Sequence, residues 1–328
     1  MNAFEYIRAQ SEASAVDQAR VPDARYLAGG TTLVDLMRLG VMRPARVVDL
    51  GSLPLVRIEP LADGGVLVGA LVKNSELAAD HTIVSGFPVL AEALLAGASP
   101  QVRNMASVGG NMLQRTRCPY FRDLASPCNK REPGSGCAAL DGFTRSHAIL
   151  GTSDKCIATH PSDMCVALVA LDAVVHVRAE DGKTRQIAMT DFHTLPGAHP
   201  EIESALQPHE LITHVELPAR PFSAHSRYVK VRDRASFAFA LASAAVALDI
   251  DGRTIRQARV ALGGVATKPW RAIEAEQALA NRSISLETFE RAAAAALAGA
   301  QTRPDNAFKV QIAQRAIVRA LARAGGLA

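Results

Sequence analysis

An α+β fold in two units is what this sequence predicts, and three observations carry the prediction. Short apolar runs rich in Val, Leu and Ile alternate with helical periods up to about residue 220. After the stretch PARPFSA at 218–224, which reads as a linker, the pattern changes to three strands followed by three alanine-rich helices, the order of an α+β unit with antiparallel strands. A chain of 328 residues with 48% hydrophobic content is long enough to bury a core in each unit.

In order along the chain, ARYLAGGTTLVDLMRLG (24–40) reads as a strand, a Gly-Gly turn and a helix with apolar Leu33, Leu36 and Met37, ended by Gly40. VVDL at 47–50 is the next strand, closing a small βαβ-like subdomain over about residues 1–55. From GGVLVGALVKNSELAAD (64–80) onward, over a second subdomain of about 56–220, strands alternate with helices, and PVLAEALLAGAS (88–99) reads as an amphipathic helix. SVGGNM (107–112) is a turn, and the Gly-, Pro-, Ser- and charge-rich stretch from about 115 to 160 is a long irregular loop, uncommon unless something orders it. MCVALVALDAVVHVRA (164–179) is a helix running into a strand, and ELITHVELP (210–218) is a closing strand. The second unit, 221–328, has strands RYVKVR (227–232), ALASAAVALDI (240–250) and IRQARVALGG (255–264), then helices starting near Trp270, Ser285 and Asn306. The alanine run at 292–296 is strong helix former.

Composition excludes some functions. A formal charge of +4 with scattered basic residues argues against nucleic acid as the main partner. No apolar run is long enough to span a membrane, and MNAFEYIRAQSEAS lacks the cationic and apolar segments of an export signal. Five cysteines, odd in number and clustered between Cys118 and Cys165, fit a metal or cluster site better than a disulfide framework.

LAGGTTL and SVGGNM each place paired glycines where strands meet helices or loops. Without a Cβ, the backbone N–H groups can approach an anion, so each turn is either a phosphate cradle or only a tight turn. Neither is followed by GK[ST] and neither is GxGxxG, so a nucleoside triphosphate loop and a Rossmann site are not supported.

Taken in order, LAGGTTLVDLM, SVGGNM, HPSDMCVALVALDA, HELITHVELP and YVKVRDRASFAFALASAAVAL resemble the FAD-binding subunits of molybdenum hydroxylases of the xanthine dehydrogenase and carbon monoxide dehydrogenase group. The resemblance runs the length of the chain, with VALGGVATKPWRA similar to the family's closing unit. It implies a vanillyl-alcohol-oxidase-like (PCMH-type) FAD fold for residues 1–220. FAD would be held non-covalently, with Leu27, Ala28, Gly29, Gly30, Thr31, Thr32 and Leu33 around the pyrophosphate and Ser107, Gly109, Gly110 and Asn111 completing the cradle. Asp163 would hydrogen-bond the cofactor's sugar region, Ile212 would pack on the flavin ring, and Lys230 would be a catalytic cation near the flavin's reactive edge. Read from the residues alone, Asp163 is equally a helix N-cap, Ile212 a core strand residue and Lys230 a solvated lysine.

In the family the acidic residue closely follows the GGN turn, whereas here 51 residues separate Asn111 from Asp163. The cysteine segment is thus an insertion between two FAD-contacting elements. Gathered thiolates repel one another and need a cation, supplied by zinc or by an iron–sulfur cluster. The spacing C-x9-C-x8-C-x18-C lacks the tight pairs of a zinc ribbon and suits a [4Fe–4S] cluster gripped by a loop, with zinc and disulfides as the alternatives. RTRCPYF, PCNKR, PGSGCAAL and CIATHPSDM resemble the flavin subunits of bacterial periplasmic aldehyde oxidoreductases, which implies Cys118, Cys128, Cys137 and Cys156 as ligands. Cys165, in an apolar helical run, is expected to be a small buried hydrophobe, and His147 and His160 loop hydrogen-bonders. Arg115, Arg117, Arg122, Lys130 and Arg131 surround the early ligands and would favour reduction, or are simply a solvated basic loop.

The implied protein is an oxidoreductase subunit. A large molybdenum subunit would oxidise an aldehyde and a small [2Fe–2S] subunit would relay electrons to this chain in a heterotrimer, without use of NAD. FAD would pass the electrons to an external acceptor, and this chain alone would not act on aldehyde. The alternatives are a flavin subunit of the 4-hydroxybenzoyl-CoA reductase or xanthine dehydrogenase type, and a flavin-free module whose metal loop docks partners. The resemblance places the complex in the periplasm, exported folded on a partner's signal, with the cytoplasm as the alternative.

Overall fold

Three β-sheets, one after another along the chain, organise the computed structural model, which describes residues 1–327. The first comprises Glu5–Arg8 (β1), Ala24–Leu27 (β2) and Arg46–Asp49 (β3), all parallel in the order β1-β3-β2. β1 is absent from the sequence reading because EYIR is largely exposed and has no apolar alternation; its pairing with β3 makes it a strand.

The second sheet comprises Ile58–Pro60 (β4), Val66–Gly69 (β5), Val174–Arg178 (β6), Thr184–Ala188 (β7) and Leu211–Leu217 (β8). Its order is β4-β5-β8-β6-β7, with every neighbouring pair antiparallel. The third comprises Ser226–Val231 (β9), Ala242–Asp251 (β10), Thr254–Gly263 (β11), Trp270–Arg271 (β12) and Arg282–Ser283 (β13), in the order β12-β11-β10-β9 with β13 also on β11. Helices Ile273–Leu279, Leu286–Ala296 and Phe308–Ala324 cover it, the second capped by Ser285, whose Oγ accepts from Thr288 N at 3.2 Å.

Between the second and third sheets lie two apolar helices, Pro88–Ala96 and Asp163–Ala170. The first is not the amphipathic surface helix that its sequence suggests. Val89, Leu90, Ala91, Ala93 and Leu94 are all buried, because the third sheet packs on one side and the helices Asn74–Ala79, His81–Gly86 and Asp163–Ala170 on the others. Every residue of Asp163–Ala170 is buried. SVGGNM is likewise more than a turn, forming the short helix Val108–Met112. The 218–224 stretch is no free linker either: Phe222 is buried beneath the Arg259 guanidinium, 4.7 Å from the ring centroid.

The inserted segment has little regular structure beyond Pro119–Arg122, yet Phe121, Ala139, Ile149 and Ile157 are buried. Its far end joins the third sheet's core, where Ile149 N donates to Val265 O at 2.8 Å and Leu150 bridges Ala266. Among the described residues no helix is long and apolar enough to cross a membrane.

Candidate functional site

The two glycine turns are in contact. A Cβ on Gly29 would lie 1.9 Å from the carbonyl oxygen of Met105, so the chain leading into the second turn occupies the space of a side chain. Gly30 has φ +71°, a conformation that L side chains rarely adopt. The second turn is pinned by Gly109 N donating to Ala70 O at 2.8 Å and Val108 N to Val72 O at 3.0 Å. Ser107 caps its short helix, with Oγ accepting from Gly110 N at 3.3 Å.

Thr31, Thr32 and Gly110 form a saddle between two cavities. One, of about 240 Å³, has apolar walls at Leu50, Leu71 and Ile212 and also takes in Ala28, Gly29, Gly30, Leu33, Ser107 and Gly109. The other, of about 690 Å³, takes in Asn111, Asp163 and Lys230. A ligand with two ring systems joined by a diphosphate has this outline, its phosphates on the saddle where, among the described residues, the N–H groups of Thr31 and Thr32 meet no acceptor. Leu27 lines neither cavity; its carbonyl accepts from Leu50 N at 2.9 Å. Ile212 and Lys230 line different cavities.

Lys230 is not a solvated strand lysine. Its Nζ donates to Asp163 Oδ2 at 2.7 Å and to Ala96 O at 3.1 Å, and both side chains are more than nine-tenths buried. Tyr228, two residues earlier on the same face of β9, donates its hydroxyl to Asp163 Oδ1 at 2.6 Å. Burial, then the adjacent carboxylate, pushes the Tyr228 hydroxyl well above its ordinary pKa. The N-cap of the helix is Ser162, whose Oγ accepts from Cys165 N at 3.1 Å, so Asp163 is free to face the cavity. Tyr228 was missed in the sequence, although YVK at strand period places it beside Lys230.

All five cysteines are free thiols, and Cys118, Cys128, Cys137 and Cys156 line one small cavity beside Phe121, Ala139 and Ala158. Asn129 draws the loop ends together. Its Oδ1 accepts from Gly136 N at 2.9 Å and its Nδ2 donates to Lys155 O at 3.1 Å, next to Cys137 and Cys156. Burial raises the thiols of Cys137 and Cys156 and pushes Cys118 up to about 12, so thiolates here need a cation. Among the described residues, no three of these four sulfurs lie within 4.8 Å of one another. Thiolates on a single zinc, each about 2.3 Å from the metal, would be closer than that. Four thiols on one cavity are a donor set that a sulfur-ligated metal centre would use.

The surrounding cations are neither free nor simply solvated. Arg115 and Lys130 pair with Glu203, and Arg117 and Arg122 pair with Asp35. Arg131 donates to the carbonyls of Tyr120, Phe121 and Ser126. Two carboxylates thus face five cations, so part of the positive field that the sequence suggests remains beside the cysteines. His147 has Nε2 3.2 Å from Cys118 Sγ. His160 packs edge-on against His193 with centroids 4.3 Å apart, and Cys165, wholly buried, completes a group whose ligand atoms lie within 4.8 Å. His193 Nε2 meets Met112 O at 2.9 Å, while His160 Nδ1 accepts from Ser162 N at 3.3 Å. The pair thereby links the second glycine turn to the start of the Asp163 helix.

Two cavities joined across a bare backbone saddle, with a buried ion pair at one end, define a protein that binds an extended dinucleotide cofactor for redox work. The chain belongs to the FAD-binding subunits of the molybdenum hydroxylases. Residues 2–220 match the family described as FAD binding domain in molybdopterin dehydrogenase, and residues 227–324 match CO dehydrogenase flavoprotein C-terminal domain. The chain is 50% identical over 326 residues to aldehyde oxidoreductase FAD-binding subunit PaoB of Escherichia coli (strain K12), covering 99% of each chain. It is 27% identical over 337 residues to the carbon monoxide dehydrogenase medium chain of Afipia carboxidovorans, covering 98% of each. Reconstituted CO dehydrogenase from Oligotropha carboxidovorans superposes with a TM-score of 0.78 at 25% identity, over 100% of this chain and 99% of that one. The fold is accordingly a PCMH-like FAD-binding domain followed by the flavoprotein C-terminal domain.

Proposed function

We propose that this chain is the FAD and iron–sulfur electron-transfer subunit of a heterotrimeric, molybdenum-dependent aldehyde oxidoreductase. Its division would fall at 1–220 for FAD binding, with the cluster insertion inside it, and 221–328. The observation that carries the reading is the meeting of Cys118, Cys128, Cys137 and Cys156, from an irregular segment, around one buried cavity next to the flavin cavity. Those residues would hold a [4Fe–4S] cluster. The aldehyde class is supported by the relative with 50% identity across its whole length, itself an aldehyde oxidoreductase FAD-binding subunit.

FAD, when bound, accepts electrons singly or in pairs and so joins one-electron carriers to other acceptors. The chain's own part is to hold and orient. Backbone N–H groups of the saddle at Thr31 and Thr32 would take the diphosphate, with Gly110 giving it room to approach, and the apolar cavity at Ile212 would take the adenine. The larger cavity would take the flavin ring and its sugar-like chain beside the Asp163–Lys230 pair. Because Lys230 is already matched by Asp163, the pair offers the ring a donor without a net charge. Oxidation of the aldehyde would fall to a large molybdenum subunit, the relay to a small [2Fe–2S] subunit, and final acceptance to an external molecule. We place the complex in the periplasm, which cell fractionation tests.

The chain, purified from cells able to build iron–sulfur clusters, is expected to hold one FAD and about four irons and four sulfides. Acid precipitation should release the flavin. Zinc in place of iron, or a colourless protein, would return the insertion to the docking-module reading.

A further inference from the structure

A segment from the far end of the chain holds the insertion. Gln301 N donates to Ile149 O at 2.7 Å, Arg303 to Leu140 O at 3.0 Å, and Asn306 Nδ2 to Ala148 O at 3.4 Å, while Thr144 N donates to Asp305 Oδ2 at 3.0 Å. Lys309, in the first turn of the last helix, completes the series and differs from the rest. It is wholly buried, and its ammonium donates only to the carbonyls of His147 at 2.9 Å and Gly264 at 2.7 Å. The other buried charged side chains, Asp49, Asp163 and Glu210, each face an opposite charge. Among the described residues, Lys309 has no carboxylate partner.

Burying an ammonium against carbonyl dipoles alone is costly, and a methionine would fill the same space without that cost. Burial pulls the ammonium down to about 7, so a nearby anion is what would keep it charged. His147, whose carbonyl accepts from Lys309, places its ring 3.2 Å from Cys118 Sγ. The cations nearer the cysteines are half-buried and share Asp35 and Glu203 two to a carboxylate, whereas Lys309 is wholly buried and faces no carboxylate among the described residues.

We propose that Lys309 is the counter-charge of the cysteine site, a positioning residue that acts through His147 to raise the reduction potential of the group held there. The inference rests on the cluster reading above. Four thiolates make the site anionic, and one-electron reduction adds a further negative charge with no bond made and no proton taken up. Lys309 in its protonated form, behind Cys118, lowers the energy of that added charge.

The test is a dithionite titration of the intact complex followed by electron paramagnetic resonance, with parent, Lys309→Met and Lys309→Arg side by side and the flavin as internal reference. The expected result is a lower cluster potential in Lys309→Met, return toward the parent in Lys309→Arg, and an unmoved flavin. Full iron in Lys309→Met with the parent's potential would overturn the inference while leaving the cluster reading intact. A parent without the iron would remove the cluster reading itself. If Lys309→Met loses its iron, Lys309→Gln decides with it: loss in both neutral variants and retention in Lys309→Arg assigns the effect to charge, whereas loss in all three assigns Lys309 to packing and overturns the proposal.

Discussion

Gly29 and Gly110 both belong to the cofactor saddle, yet the room around them differs. A Cβ on Gly29 would collide with backbone at 1.9 Å, while one on Gly110 would meet only the Ser107 hydroxyl at 3.0 Å. Gly29→Ala is therefore expected to lose FAD and to unfold more easily by about 1–3 kcal/mol, and Gly110→Ala to keep most of its flavin; flavin content and thermal unfolding measure both. Lys230→Met leaves Asp163 buried with only the Tyr228 hydroxyl, at a cost of up to about 3 kcal/mol that Asp163→Asn in the same chain should partly relieve. A double-mutant cycle on denaturant unfolding checks this. Burial holds His193 at about 4, below its ordinary 6.5. The unfolded chain binds that proton more readily, so the ring's contribution is complete above pH 6.5 and is lost as the pH falls toward 4. Melting temperature should drop across that window, and less steeply in His193→Gln. Asp163 and Lys230 were legible because ordered motifs surround them. His193 and Lys309 were not, since each gains its meaning from a partner far off in sequence, Met112 and His147.

At the scale of elements, helices and strands with their own apolar period were readable, and those that borrow order from a neighbour were not. β1 is a strand through β3, and Pro88–Ala96 is a core helix through the third sheet on one side and neighbouring helices on the others. The insertion is the extreme case. Its sequence promises a loop, and its order comes from the cysteine cavity on one side and residues 301–309 on the other. The tip at 132–135 is exposed and lies between Cys128 and Cys137, so only the cysteine side restrains it. Removal of iron by a chelator is expected to make this tip the first site of proteolytic cleavage, with flavin still bound because the saddle lies outside the segment. Fragment mass analysis would show it. Cleavage at the same rate with and without iron would detach the order of the loop from the cysteines.

Over the whole molecule, the flavin site and the proposed cluster site each draw on both ends of the chain. The saddle and Asp163 come from the first 220 residues, but Tyr228 and Lys230 reach the larger cavity from β9. Cys118, Cys128, Cys137 and Cys156 lie before residue 160, but the side chains that hold the surrounding loop come from Arg303, Asp305, Asn306 and Lys309. The second unit also covers the helices Pro88–Ala96 and Asp163–Ala170, so its removal would bare their apolar faces. A fragment of residues 1–220 is thus expected to aggregate or melt early, to bind FAD weakly and to retain little iron, despite carrying the matched FAD-binding domain and all the cysteines. Adding residues 221–328 as a separate chain should restore flavin binding, because the missing contacts are made across a packed interface that needs no covalent link. Flavin fluorescence during that titration is the measurement. Full FAD affinity in the fragment alone would show that Lys230 and Tyr228 contribute nothing to the site.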